Sequence, residues 1–146
     1  MTQVGTIDQA QDEVIDEFLF FKDWQDRYEH LIELGKDLPL IAPERKTDDN
    51  LIRGCQSRVW LFAELKDGSI HFSADSDSMI TKGIVSLLVR ILDMRRPAEV
   101  IKISLADLYS IERIGLREHL FTTRSNGLVA MLDQMKRYAV AYSTQA

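Results

Sequence analysis

The chemistry open to this chain centres on one thiol. Cys55 is the only cysteine among 146 residues, and it stands in Ile52-Arg53-Gly54-Cys55-Gln56-Ser57-Arg58, between an unpatterned stretch and a β-rich one. The thiolate, not the thiol, is the nucleophilic form, and neighbouring cations favour it. Arg53 and Arg58 can act in that way, and Gly54 permits positive φ and the close approach of a second backbone. A free cysteine is also among the most buried residue types and commonly serves as a small apolar filler. Such a filler usually lies on a helix or strand stripe, and Cys55 does not. With no second cysteine, an internal disulfide and dithiol chemistry are excluded, which agrees with a reducing compartment.

The other candidates are weaker. His30, His71 and His119 show no spacing that suggests a thiol–histidine pair or, with Cys55, a zinc site, so no metal is expected. Asp75-Ser76-Asp77 lacks the later glycine and glutamate of a calcium loop and reads as a helix cap, by Ser76 or Asp77. The seven glycines form no phosphate-cradling cluster, so no nucleotide cofactor is expected. Arg124-Ser125-Asn126-Gly127-Leu128 opens the last helix. Its unpaired backbone N–H groups and the Arg124 cation would favour a thiolate if the Cys55 loop packs there.

Charge narrows the class. Eighteen basic against 23 acidic side chains give −5 and a pI near 5.2, the opposite of the basic face that nucleic acid requires. Arg95–Arg96 and Lys136–Arg137 are short pairs that read as solvated helix ends. Residues 1–21 carry no lysine or arginine, unlike a signal peptide. The most apolar run, Gly83 to Leu92, is interrupted by Ser86 and Arg90 and is too short for a bilayer. The expectation is one domain over residues 1–146 in the cytoplasm, with no membrane and no nucleic-acid partner.

The elements that must position Cys55 follow from periodicity. Ile7, Ala10, Val14, Phe18 and Phe21 form a first helical stripe. Trp24, Tyr28, Leu31, Leu34 and Leu38 form a second, with Gly35 and Pro39 as stop signals. Leu38 to Ser57 keeps no period and reads as a long loop, a length at which loops are usually functional. Val59 to Leu65 and Ser69 to Ala74 read as strands joined by a turn at Asp67-Gly68. Ile80, Ile84, Leu87, Leu88 and Ile91 mark a third helix, and Pro97 opens a short fourth over Ala98 to Ile101. Ser104 to Arg113 is a further helical piece. The last helix, capped by Thr122 or Thr123, carries Leu128, Met131, Leu132, Met135, Tyr138 and Tyr142. The fold class is α+β, a small antiparallel sheet packed by several helices. An exposed sheet edge would allow a homodimer.

Taken together, four segments resemble the SufE/CsdE family of sulfur acceptors for cysteine desulfurases. Trp24-Gln25-Asp26-Arg27-Tyr28 with Leu31-Ile32-Glu33-Leu34-Gly35-Lys36 resembles the family's second helix. Gly54-Cys55-Gln56-Ser57 with Val59-Trp60 resembles its cysteine loop, and Ala74-Asp75-Ser76-Asp77 with Lys82-Gly83 the start of its third helix. Leu116, His119-Leu120 and Arg124 to Leu128 resemble its C-terminal signature. Arg58 stands where the family often has glutamine.

The resemblance implies a fold shared with IscU-type cluster scaffolds and a role in iron–sulfur cluster assembly. Cys55 would take the persulfide sulfur from a SufS-type desulfurase and pass it to a scaffold such as the SufBCD complex. Arg53, Gly54, Gln56, Arg58, Asp77 and Arg124 would surround it. The chain would need no cofactor, the pyridoxal phosphate belonging to the desulfurase. The Cys55 side chain would tuck against an apolar wall when free, with Gly54 and the Leu38 to Asn50 stretch supplying the freedom to swing out. On the residues themselves, a single-cysteine thiol enzyme of peroxidase or rhodanese type and a non-catalytic docking domain stay open.

Overall fold

The computed structural model describes residues 5–52, 58–115 and 125–144. Among the described residues, six α-helices and one β-hairpin form the α+β architecture: α1 (Ile7–Leu19), α2 (Trp24–Gly35), β1 (Val59–Lys66), β2 (Ser69–Ser76), α3 (Met79–Leu92), α4 (Pro97–Lys102), α5 (Tyr109–Arg113) and α6 (Ser125–Ser143). Short 3-10 turns occupy Pro43–Arg45, Asp48–Asn50 and Leu105–Asp107. No described helix is long and apolar enough to cross a membrane.

The hairpin turn explains the register. Asp67 and Gly68 both have positive φ, 53° and 82°, as a two-residue turn that matches strand twist requires. Pairing then runs from Lys66↔Ser69 to Val59↔Ser76. Side chains alternate along each strand, so Leu61, Ala63, Ile70, Phe72 and Ala74 share the face that is buried with α1 and α3 in one apolar cluster. Trp60 and Phe62 lie on the other face. Cations of the preceding loop lie over both, Lys46 Nζ 4.5 Å from the Trp60 ring centre and the Arg45 guanidinium 4.6 Å from that of Phe62, and the Tyr138 ring of α6 stands edge-on to Phe62 at 6.3 Å.

Both edges of the hairpin are taken. The outward carbonyls of β1 at Val59, Leu61 and Ala63 accept from Ile52 N–H (2.7 Å), the Tyr138 hydroxyl (3.1 Å) and the Tyr142 hydroxyl (2.6 Å). Along β2, Ala74 pairs with Pro39 and Ile41, Phe72 N–H donates to Asp93 Oδ1, and Ile70 exchanges bonds with Met94 and Arg95. The chain thus supplies its own partners to these edge groups.

Three other expectations are corrected. The third helix is capped by Ser78, whose hydroxyl accepts from Thr81 N–H, and not by Ser76 or Asp77. The ladder runs on to those two residues and uses them first. Leu38 to Asn50 does not have the expected freedom: Leu38 and Ile41 are buried, Ile41 N–H binds Ala74, and Asn50 binds Arg45 O and the Tyr138 hydroxyl. Backbone polar groups this close to a core need partners, and two 3-10 turns supply them. Arg95 is not a solvated helix end but 2% exposed. Its Nε donates to Ile91 O at the end of α3 and its Nη1 to Gly5 O, a place where the helix dipole favours a cation. Burial still pushes its pKa down.

Gly35 is the last residue of α2 rather than a left-handed cap, and its value lies in what it lacks. A Cβ there would meet Gly83 N at 3.0 Å, and one on Gly83 would overlap the Leu31 carbonyl oxygen and press the Leu31 side chain at 2.9 Å. The two glycines let α2 and α3 approach closely enough for Ser86 Oγ to donate to Leu34 O at 2.8 Å. Gly83→Ala should gain up to ~1 kcal/mol in helix propensity. It should lose more, about 3 kcal/mol, to overpacking, and a lower urea midpoint would register the difference.

Candidate functional site

The open end of the hairpin, opposite the Asp67-Gly68 turn, is where the sequence places Cys55. Residues 53–57 lie outside the described residues, so the expectations for Arg53, Gly54, Cys55 and Gln56, including the tucked thiol, are not described by the structure. The same holds for Arg124, for the Thr122 or Thr123 cap and for His119. What the structure describes is both anchors of that segment.

On the upstream side, Leu51 pairs with Trp60, and buried Ile52 donates its N–H to Val59 O. The Tyr138 hydroxyl from α6 lies 3.0 Å from Asn50 Oδ1 and 3.1 Å from Leu61 O, joining the approach of the loop to β1. Burial, with Tyr142 next in effect, pushes the Tyr138 phenol up despite Arg45, so it stays protonated and able to donate.

On the downstream side, Arg58 and Asp77 form one rung beyond the last strand residues. Asp77 N–H donates to Arg58 O at 3.3 Å, and Arg58 N–H donates to Asp77 Oδ1 at 3.0 Å. A carboxylate oxygen thus stands where a strand would offer its carbonyl. Ser76 Oγ donates to the same Arg58 carbonyl at 2.7 Å and accepts from Ser78 N–H at 3.2 Å, which links the rung to the cap of α3. Two of the expected site residues, Arg58 and Asp77, are therefore brought together, through main chain and carboxylate rather than as an ion pair. The Arg58 side chain is exposed.

Beside this rung lies a charged cluster that sequence reasoning missed. Trp60 faces Asp75 across the hairpin. Lys46 Nζ lies over the Trp60 ring and 3.0 Å from Asp75 Oδ2, and Lys82 Nζ is 3.5 Å from Asp75 Oδ1. Burial alone would raise the Asp75 carboxyl. Hydrogen bonds from Lys46 and from Ser76 N–H, with the charges of Lys82 and Lys46, outweigh it and hold the carboxyl below its ordinary value. The Asp67-Gly68 turn could have revealed part of this: counting outward from Lys66↔Ser69 puts Trp60 opposite Asp75 and Arg58 opposite Asp77. No pattern announces Lys46, which arrives from a loop.

The two described histidines have other neighbours. His30 Nε2 contacts Glu17 at 2.5 Å between α2 and α1, and His71 lies on β2 opposite Glu64. Among the described residues, no three histidine, cysteine or acidic side chains converge on a metal position.

Comparison with known proteins adds the family. Residues 12–139 match the model described as "SufE: Fe-S metabolism associated domain". An uncharacterized SufE-like protein of Rhizobium meliloti (strain 1021) is 37% identical over 132 residues, covering 88% of this chain and 93% of the relative. One from Rhizobium etli is 36% identical over 132 residues, 88% of each chain. The solution structure of a hypothetical protein from Thermus thermophilus has the same fold, with a TM-score of 0.75 over 92% of this chain and 96% of that one, at 18% identity.

Two outcomes follow from the anchors. Asp77→Ala removes the acceptor of Arg58 N–H. A net value of about 1.5 kcal/mol for a bond to a charged group corresponds to roughly tenfold faster amide exchange at Arg58, whereas Asp77→Asn, which keeps an oxygen there, should change it little. Because the Asp75 carboxyl titrates lower folded than unfolded, its contribution is full above the ordinary value of 3.8. It is lost as pH falls through the folded value. Asp75→Asn should therefore be less stable than the parent at pH 7, with the gap in urea midpoint narrowing below about pH 4.

Proposed function

The chain belongs to the SufE family, and on that premise we propose that it is the sulfur acceptor and activator of a SufS-type cysteine desulfurase, with Cys55 as the acceptor. The family is associated with Fe–S metabolism, and a thiol that accepts sulfur is the chemistry this chain's one cysteine offers. The observation that carries the reading is positional. Cys55 is three residues from Ile52 and three from Arg58, and both of those residues are hydrogen-bonded to the hairpin. The reactive segment is thus held at both ends by a rigid element, which favours a defined presentation to a partner.

The transfer is thiol exchange. The Cys55 thiolate attacks the outer sulfur of the desulfurase persulfide, the partner's S–S bond breaks, and its electron pair leaves on the partner's cysteine thiolate. A new S–S bond forms on Cys55, the terminal proton stays on the transferred sulfur, and no external oxidant or reductant is needed. The desulfurase cysteine is freed for another turnover, which is the activation. Cys55 then hands the sulfur to a cluster scaffold such as the SufBCD complex.

A free cysteine of pKa near 8.5 is only about 3% ionised at pH 7, so positive charge near it raises the reactive fraction. Arg53, Arg58 and Arg124 are assigned that role, and Gly54 and Gln56 that of shaping the loop. Asp77 is a positioning residue: it holds Arg58 at the loop's end. The pyridoxal phosphate belongs to the desulfurase, and a persulfide carrier of this kind works in a reducing compartment, the cytoplasm.

Intact mass after incubation with the desulfurase and L-cysteine tests the proposal. Cys55 should gain one or more sulfur atoms, removed by dithiothreitol and absent from Cys55→Ser. Full activation of the desulfurase by Cys55→Ser would instead indicate a docking domain, and consumption of peroxide without any desulfurase a thiol peroxidase.

A further inference from the structure

The corner between α1 and α2 carries features that sulfur acceptance does not use. Phe20, at the end of α1, is 80% exposed, and Leu19 beside it is 48% exposed. Phe20 stands edge-on to Phe21 at 5.3 Å between ring centres, and Phe21 lies 5.0 Å from the His30 ring. His30 is held from behind by Phe18, at 4.9 Å, and by Glu17, which in turn binds Arg90 Nη2 at 2.8 Å. Phe21, His30 and Ile32 then line a surface groove of about 400 Å³ together with Asp26, Glu29 and Glu33. An exposed aromatic knob is thus continuous with a groove whose wall is aromatic and whose rim is acidic.

The surrounding charge is lopsided. Residues 5–38 hold ten acidic and three basic side chains, a balance of −7, while the rest of the chain holds 13 acidic and 15 basic, a balance of +2. Such a surface repels nucleic acid and anionic lipid headgroups. A two-fold pairing of this face with itself would set −7 against −7. A protein segment bearing lysine or arginine beside an apolar side chain is matched on both counts. The apolar side chain meets Phe20 and Phe21, and the long cationic side chain lays its methylenes along the Phe21–Ile32 wall with its head among Asp26, Glu29 and Glu33.

We propose that the Phe20–Phe21 corner and the α2 groove form a docking surface for a basic, apolar-anchored segment of a partner protein, separate from the hairpin end that bears the thiol segment. Aromatic anchors inside a polar rim are the arrangement that concentrates binding energy at interfaces. The proposal makes no use of Cys55, so persulfide formation on Cys55 and binding at this corner are independent readouts.

Titration of the ¹⁵N-labelled full chain with a synthetic amphipathic helical peptide of leucine and lysine tests it, with a leucine–glutamate peptide of equal length as control. The expected result is saturable amide shifts confined to Phe20, Phe21, Asp26, Glu29, His30, Ile32 and Glu33, weakened by added NaCl. They should be lost in Phe20→Ser/Glu29→Lys. Both of those side chains are exposed, so the circular dichroism spectrum should be unchanged; should the double variant misfold, Phe20→Ser alone carries the test. Absence of saturable shifts, shifts centred elsewhere, equal shifts with the glutamate peptide, or shifts retained in the variants would overturn the proposal. So would peptide-free shifts that grow with protein concentration, because the occupant would then be a second copy.

Discussion

A hairpin of two strands has two open edges as well as two faces, and alone in water such a ribbon is marginal. Most of this structure follows from how those four boundaries are closed. One face is buried in the apolar cluster with α1 and α3, the other lies under the loop that carries Arg45 and Lys46, and the edges are taken by Ile52, Tyr138 and Tyr142 on β1 and by Pro39 to Ile41 and Asp93 to Arg95 on β2. Elements far apart in sequence thereby depend on one pair of strands. The tyrosines of α6 pack against the core and also act through their hydroxyls, each reaching a carbonyl of β1.

The same hairpin sets the geometry of the candidate site. Its turn fixes the register, and the register brings Arg58 and Asp77 together at the far end, where the Asp77 carboxylate ends the ladder. The thiol segment therefore begins and ends on residues tied to the most constrained part of the molecule. The loop before it is long, yet 3-10 turns, the Asn50 contacts and the Lys46–Trp60–Asp75 cluster hold it to the sheet. Unpatterned sequence is here a sign of irregular backbone, not of looseness.

Charge is distributed as unevenly as order. Around the open end of the hairpin the charges are mixed, with Lys46 and Lys82 paired to Asp75 and Asp77 bound at Arg58, whereas residues 5–38, which include α1 and α2, hold the acidic excess. Net charge alone conceals this division.

The sequence by itself determined the elements and their class. Periods of three and four residues marked the helices and Asp67-Gly68 marked the hairpin, since each of these signals is local, and the lone Cys55 between a loop and a strand marked the candidate for chemistry. It also held more than periodicity extracts, because counting from the turn yields the Arg58–Asp77 rung. Only tertiary structure decided that Ser78 rather than Ser76 or Asp77 caps α3, that Arg95 is buried, that Gly35 and Gly83 serve helix contact, and that Lys46 meets Trp60 and Asp75. Each of those outcomes is a competition for a polar group or for space between segments remote in the chain, and its winner depends on which neighbour the fold delivers first.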